Sequence, residues 1–166
     1  SCIRTMGHIY KSRGNFDLSA QYYQEALDYM LKNMPDQDPS QLYSSLAEYY
    51  RNTQKDYATA LDYCEKALKS AKTERNIAQA MIEKCLVLFR QGRIDEFNDC
   101  YKEAVQMADR CKLSASVSLL IAHISKNILD KQYEQAHAHA DQLSEEGLQQ
   151  HAYIYECAKD LSLIHI

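Results

Sequence analysis

Cysteine and histidine, the residues that most often do chemistry in proteins, occur in this sequence without the spacing that a known site requires. The six cysteines form no C-x-x-C pair, which excludes a zinc ribbon and a thioredoxin-like redox motif. His137 and His139 are two residues apart, so on a helix they point about 200° away from each other and cannot share one metal ion. We expect no bound metal and reduced thiols that pack as small apolar residues. Reduced thiols favour a reducing compartment, and hence a cytoplasmic location.

Catalytic motifs are also missing from the sequence. It contains no P-loop, no Rossmann glycine motif, no nucleophile elbow and no HExxH. Isolated Cys, His and Asp residues occur, but no local signature orients one toward another. We therefore predict a protein that is not an enzyme, with no catalytic residue and no cofactor.

Composition and charge narrow the class of protein further. The 166 residues include two prolines and four glycines, too few for the turns of a β-sandwich, so we expect an all-α protein. Nineteen basic and twenty-three acidic residues give a net charge of −4 with no basic block, which argues against nucleic-acid binding through this segment. The longest apolar stretch, around residues 117–124, is shorter than the ~20 residues that span a bilayer, so we expect no membrane insertion. The chain opens at Ser1 without a methionine, and we expect a fragment of a longer protein.

A short motif recurs along the chain. The segment YYQEAL at residues 22–27 returns as YCEKAL at 63–68 and CYKEAV at 100–105, with a weaker copy, KQYEQA, at 131–136. Upstream of each copy lies a stripe of apolar or small residues spaced three, one and three apart, as in Ile3, Met6, Gly7 and Tyr10. This spacing marks one face of a helix. Successive stripes are offset by 40, 39, 39 and 33 residues.

Each repeat therefore predicts a pair of helices: a first helix that carries the stripe, a turn, and a second helix that carries the motif. We place four pairs at about 1–33, 39–72, 76–111 and 114–144, with the first helix of a further pair at 148–164, all in a single domain. Turns within the first three pairs fall at 14–16, 55–57 and 92–94. Gly7 is the one glycine inside a predicted helix, and its missing side chain would let the partner helix approach closely.

These residues resemble the tetratricopeptide repeat, and the resemblance covers nearly the whole chain. It implies an all-α, right-handed α-solenoid of antiparallel helix pairs that binds a protein or a peptide. The intervals of 39 and 40 residues exceed the usual repeat of about 34. In this respect the repeats resemble the extended ones of bacterial regulatory proteins. The positions that match the family pattern most fully are Gly7, Tyr10, Gly14, Phe16, Tyr23 and Ala26 in the first pair, and Ala47, Tyr50, Tyr57, Ala60 and Ala67 in the second.

The resemblance also indicates where a ligand would bind, because the first helices of this family line a concave groove. Off-stripe positions on these helices are mostly basic, whereas those on the second helices are mostly acidic. We therefore hypothesise a basic groove that binds a peptide with acidic side chains or a free carboxylate. The alternative is that these residues form ordinary solvated faces. The candidate groove residues are Arg4, His8, Lys11, Glu48, Arg51, Lys84, Arg90, His123, Lys126 and Lys159.

Two functions follow from this interpretation. The first is a protein- or peptide-binding interaction module, and the alternative is the sensory region of a bacterial transcriptional regulator or signal-transduction protein. His8 and Ser45 occupy places where carboxylate-clamp members of the family need Asn, which argues against an adaptor for chaperone tails. The apolar tail at residues 161–166 calls either for a further helix or for a second copy of the chain, and the latter would give a homodimer through the C-terminal helix.

Overall fold

A computed structural model of the chain describes residues 2–113 and 116–143. The described residues form helices and connecting turns without a β-strand, which confirms the all-α prediction. The predicted final helix at 148–164 lies outside them, and the right-handed sense of the solenoid stays a prediction. The helices are α1 (Cys2–Ser12), α2 (Phe16–Asn33), α3 (Ser40–Tyr49) with a π-helical continuation (Tyr50–Gln54), α4 (Tyr57–Ser70), α5 (Glu74–Arg90), α6 (Ile94–Arg110), α7 (Val117–Leu129) and α8 (Tyr133–Ala140).

The helices pack mainly on their neighbours along the chain. Within each pair the two helices contact each other: α1 with α2, α3 with α4, α5 with α6, and α7 with α8. Between pairs, α2 packs on α3 and α4 packs on α5. The first helices α3, α5 and α7 also pack on one another in order. They form one continuous layer, which we call the first-helix layer and to which α1 adds its side chains through Arg4 and Lys11.

The turn inside each pair has the same backbone design. In all four pairs, the residue before the cap of the second helix has a left-handed backbone: Gly14 (φ 76°), Lys55 (φ 53°), Gly92 (φ 70°) and Lys131 (φ 58°). A left-handed residue reverses the chain after a helix and satisfies its last carbonyl groups. The turns predicted at 14–16, 55–57 and 92–94 therefore occur where the sequence places them.

The π-helical continuation of α3 absorbs one extra residue. Asp56 donates its backbone N–H to the carbonyl of Tyr50, six residues back, at 3.0 Å. The bonds that close the other three turns reach five residues back, as in Asn15 to Tyr10. Insertion of one residue into an α-helix commonly produces such a π segment, often at a functional position. Here the wider turn contains Arg51, a candidate groove residue that is buried.

Small residues lie where the helices of a pair come closest. Ala47, Ala60, Ala67 and Ala78 are all fully buried. At Gly7 of α1 the two helices are so close that an added Cβ would stand 2.6 Å from the Cε1 atom of Tyr23 on α2. The sequence-based explanation of Gly7 as a point of close helix approach agrees with this geometry.

Larger side chains fill the layer between the third and fourth pairs. The largest buried cluster joins residues of α5, α6, α7 and α8, including Phe89 and Phe97, whose rings meet edge to face at 5.6 Å between centroids. As a result, α5 is buried on most of its circumference. None of the helices in 2–113 and 116–143 combines the length and the apolar character that a bilayer span needs.

Replacing Gly7 by alanine tests the close approach of α1 and α2. Helix propensity alone predicts that Gly7→Ala stabilises the protein by about 1 kcal/mol. Because the methyl group would overlap the ring of Tyr23, we expect instead a net destabilisation of about 1–3 kcal/mol in urea unfolding. Gly14→Ala is the control. An added Cβ at Gly14 would meet no atom within 4 Å, so the only cost of this substitution is the strain of its positive φ of 76°. A Gly7→Ala variant as stable as the parent would contradict the packing account.

Candidate functional site

A buried ion pair joins the second and third helix pairs within the first-helix layer. The Nη2 atom of Arg51, in the π-helical segment, lies 3.1 Å from the Oε2 atom of Glu83 on α5. Their side chains are 1% and 3% exposed. Two such charges are rarely buried unless they are paired, so each side chain accounts for the position of the other.

Glu83 also connects to the fourth pair. The hydroxyl of Ser118 on α7 donates to its Oε1 atom at 2.5 Å, and the Nε2 atom of Gln79, one turn earlier on α5, donates to the same oxygen at 3.3 Å. Burial raises the pKa of the Glu83 carboxyl, while the charge of Arg51 and the hydrogen bond from Ser118 oppose that rise. One carboxylate thus links the first helices of three successive pairs.

The hydrogen bonds of this cluster are incomplete. The Nε and Nη2 atoms of Arg51 and the Oε2 atom of Glu83 are buried without a hydrogen-bond partner, so the 3.1 Å contact is a charge contact with poor hydrogen-bond alignment. Charges in such a position attract each other strongly in a low dielectric, but their desolvation offsets much of the gain. The cluster therefore stabilises one arrangement of the helices more than it stabilises the fold as a whole.

A second ion pair lies further toward the N-terminus, between α1 and α3. Lys11 of α1 donates from its Nζ atom to the Oε2 atom of Glu48 on α3 at 2.7 Å, with side chains 26% and 15% exposed. Both charges are near enough to influence the pKa of Glu83. Lys11, Glu48, Arg51 and Glu83 therefore alternate in sign along the first-helix layer, and the positive charge of this stretch is largely neutralised.

The N-terminal ends of the first helices carry a row of uncharged and charged polar groups. Arg4 donates to Gln41 at 3.5 Å, Gln41 donates to Asn76 at 3.3 Å, and Asn76 donates to Asp38 at 2.9 Å. Arg4 and Gln41 are exposed, and Asn76 is half-buried. His8 is exposed as well, and its Nδ1 atom lies 3.0 Å from the hydroxyl of Tyr23. We call Arg4, His8, Gln41 and Asn76 the polar row.

Other candidate residues contact the second helices. Lys84 pairs with Glu65 of α4 at 2.6 Å, and the Nζ atom of Lys126 donates to Asn98 of α6 at 2.9 Å. The Nδ1 atom of His123 lies 2.7 Å from the hydroxyl of Tyr101 on α6.

The ring of His123 also stacks on a second histidine. Its centroid is 5.1 Å from that of His139 on α8. Burial lowers the pKa of His123, and His139 lowers it further. His123 is therefore a packed histidine between two second helices.

The two remaining candidates, Arg90 and Lys159, are not part of any exposed groove in the described structure. Arg90 is 8% exposed at the C-terminal end of α5, and Lys159 lies outside the described residues. The structure thus brings together Arg4, Lys11 and Glu48 on the accessible part of the first-helix layer, while His8 is exposed but lies against Tyr23 of α2. It places Arg51 and Arg90 inside the protein, and Lys84, His123 and Lys126 against the second helices.

Sequence reasoning missed Gln41, Asn76 and Ser118 as site residues. Gln41 and Asn76 stand at the N-terminal ends of the predicted helices, where a polar residue is unremarkable. The sequence did contain one signal for the buried ion pair. Glu83 is an acidic residue within the strongly apolar stretch 77–89, so its burial requires a buried cation beside it. Within residues 2–113 and 116–143, no group of three His, Cys, Asp or Glu side chains could hold a metal ion.

Asp38 ties together two of the connections between helix pairs. Its carboxylate accepts from the backbone N–H groups of Ser40 and Lys72, at 2.9 and 2.8 Å, and from the side chain of Asn76. Burial opposes ionisation here, but the hydrogen bonds outweigh it and lower the pKa of Asp38 to about 2. Asp38 therefore fixes the approach of the loop at 34–39 to the start of α5, and with it one end of the polar row.

The fold and these contacts define a helical-repeat protein whose first helices make one continuous surface. The family model described as the tetratricopeptide repeat matches residues 1–73, so this part of the chain is similar to that repeat. Tetratricopeptide repeats are generally protein–protein interaction modules. Neither the comparison with curated proteins nor that with solved structures gave a match.

Removing one charge of the buried pair tests its role. Glu83→Gln leaves the guanidinium of Arg51 buried without a counter-charge, so we expect a loss of about 3–5 kcal/mol in the free energy of unfolding. Arg51→Met combined with Glu83→Leu removes both charges and should cost clearly less. The control is the exposed pair Asp62–Lys66, 2.7 Å apart, whose removal should cost at most about 1 kcal/mol. Equal losses from Glu83→Gln and from removal of the Asp62–Lys66 pair would contradict the assignment.

The lowered pKa of Asp38 predicts an acid-dependent contribution to stability. Because folding lowers this pKa, the contribution is present at neutral pH and is lost as the pH falls from about 4 to about 2. The carboxylate is partly solvated, so we expect Asp38→Ala to cost only about 1 kcal/mol at pH 7. Urea titrations of both proteins between pH 7 and pH 2 should converge at the acid end. A gap that stays constant over this range would show that ionised Asp38 is not responsible.

Proposed function

We propose that this chain is a protein-interaction module that binds an extended segment of another protein along its first-helix layer. The observation that carries the proposal is the ordered packing of α3 on α5 and of α5 on α7, with α1 joined through side chains. Serial packing of this kind produces a long surface on rigid helices, which is the usual binding surface of repeat proteins. Groups held on rigid helices lose little entropy when they bind, so a short peptide can bind with a Kd near ~1 μM.

The polar row is the part of this surface that we assign to the ligand. Gln41 and Asn76 offer amide groups that can replace their mutual hydrogen bond by bonds to a peptide backbone. Arg4 and His8 are exposed cationic or potentially cationic groups, suited to an acidic side chain or a terminal carboxylate. Lys11 adds a positive charge at the edge of the row, although its ion pair with Glu48 offsets that charge.

The buried arginines have a different role in this proposal. Arg51 is committed to Glu83, so it sets the spacing of the helices that carry the row and does not reach the ligand. Arg90 is enclosed at the end of α5. The acidic-peptide hypothesis therefore depends on Arg4, His8 and Lys11, at the N-terminal end of the surface.

A regulatory role is the second candidate, and the length of the repeats favours it. The left-handed turn residues at 14, 55, 92 and 131 maintain a spacing longer than that of ordinary repeats. In a sensory protein, binding at the polar row or self-association would shift an attached output domain. The coding sequence on either side of these 166 residues tests this role: a DNA-binding or kinase segment would support it, and further repeats would favour a scaffold.

A peptide-binding measurement with matched charge reversals tests the interaction module. The probes are fluorescent ten-residue peptides with free C-termini, in an acidic pool and a lysine-rich pool, titrated by anisotropy. We expect the acidic pool to bind and Arg4→Glu to weaken binding roughly three- to tenfold, a loss of about 0.6–1.4 kcal/mol. Lys32→Glu, an equal charge change at an exposed position of α2, is the control and should bind like the parent.

Two results would contradict this placement of the site. Equal affinities of the Arg4→Glu and Lys32→Glu variants would move binding away from the polar row. Stronger binding of the lysine-rich pool would overturn the acidic chemistry of the ligand. Thermal unfolding of each variant should accompany the titration, so that a loss of binding is read only from folded protein.

A further inference from the structure

Two cysteines from neighbouring helices meet inside the third helix pair. The Sγ atom of Cys85 on α5 lies 2.8 Å from the Sγ atom of Cys100 on α6, and both residues are free thiols. The sulfur atoms of a disulfide are about 2.05 Å apart, so less than about 1 Å of movement separates this contact from a bond. Cys111, by contrast, donates to the backbone carbonyl of Ala108 at 3.6 Å.

The two thiols differ in their access to solvent. Cys85 is fully buried, whereas Cys100 on α6 is half-buried. Cys100 is therefore the more accessible of the two cysteines to a small oxidant, and Cys85 is its buried neighbour. This arrangement of one accessible thiol in front of a buried one is that of an attacking and a resolving cysteine.

We infer that Cys85 and Cys100 form a redox modification site, at which a hydroperoxide oxidises Cys100 and Cys85 then closes a reversible disulfide between α5 and α6. The inference is independent of the proposed binding function, because neither cysteine belongs to the polar row. It concerns a site within the second half of the chain, beyond the part that matches the family model.

The electrostatics of the pair assign the two roles in the same order. The hydrogen bond that Cys85 donates lowers the pKa of Cys100; burial opposes this, and the positive charge of Lys84 supports it. Burial raises the pKa of Cys85, which keeps that thiol protonated until the first step has occurred. A thiolate is the reactive form of cysteine, so the accessible member of the pair is also the more reactive one.

The chemistry balances with hydrogen peroxide as the oxidant. The Cys100 thiolate attacks one peroxide oxygen, so that an S–O bond forms and the O–O bond breaks, and the departing hydroxide takes a proton to become water. The Cys85 sulfur then attacks the sulfur of the Cys100 sulfenic acid, forming the S–S bond as the S–O bond breaks. The second hydroxide leaves with the Cys85 proton as water. Two thiols have then lost two electrons, and one peroxide has become two waters.

Peptide mapping of the oxidised full chain tests the inference. The chain of 166 residues is treated with hydrogen peroxide, its remaining thiols are alkylated in denaturant, and the linked peptides are identified by mass spectrometry. We expect one Cys85–Cys100 peptide, two hydrogen atoms lighter than the sum of its parts and reversed by dithiothreitol. The cross-link should also raise Tm by about 5–10 °C, because it restricts the unfolded chain.

Three variants separate the roles of the cysteines. Cys100→Ser should leave Cys85 reduced, because Cys85 itself is fully buried. Cys85→Ala should let a sulfenic acid accumulate on Cys100, detected as a dimedone adduct. Cys111→Ser replaces a cysteine outside the pair. This variant is the matched control and should still form the disulfide.

Exposed Cys2 serves as an internal reference for the oxidant. If Cys2 is oxidised while Cys85 and Cys100 are both recovered as alkylated thiols, the pair is inert and the inference is overturned. A disulfide from Cys100 to any cysteine other than Cys85 would overturn it as well.

Discussion

The cost of burying charge governs how the middle of this molecule is arranged. Arg51 and Glu83 each lose their hydration, and their mutual attraction, with the hydrogen bonds from Ser118 and Gln79, offsets that loss. Helices α3, α5 and α7 must therefore keep one relative position, since a shift of a few ångströms would separate the charges.

This constraint explains why the accessible surface differs from a basic groove. Lys11 and Arg51 pair with Glu48 and Glu83, and Lys84 pairs with Glu65 of α4, so much of the positive charge of the first helices is offset within the protein. Arg4 and His8 of the polar row, at one end of the layer, stay exposed, and the proposed binding function depends on them. A binding surface of this kind selects its partner by hydrogen-bond geometry as well as by charge.

The repeat architecture was predictable from the sequence, including the turns that connect the two helices of the first three pairs. The 3-1-3 stripes, the motif copies and the breaks at 14, 55 and 92 depend on local periodicity, which a sequence displays directly. The explanation of Gly7 was accessible for the same reason. The position of Arg51 was not, because it depends on a one-residue π insertion and on a partner 32 positions away. The sequence does not distinguish an off-stripe arginine that faces water from one that faces a buried carboxylate. Only the packing of the next helix pair distinguishes the two.

The same ion pair makes the repeats non-interchangeable. Repeat proteins often grow or shrink by duplication and loss of whole units, since each unit meets its neighbours through similar apolar faces. Here the second unit contributes a buried cation and the third a buried anion, so they fit only in that order and only once. Duplicating either unit would leave a charge without its counterpart inside the protein. A unit inserted between the second and third would separate Arg51 from Glu83 and leave both charges buried without a counter-charge.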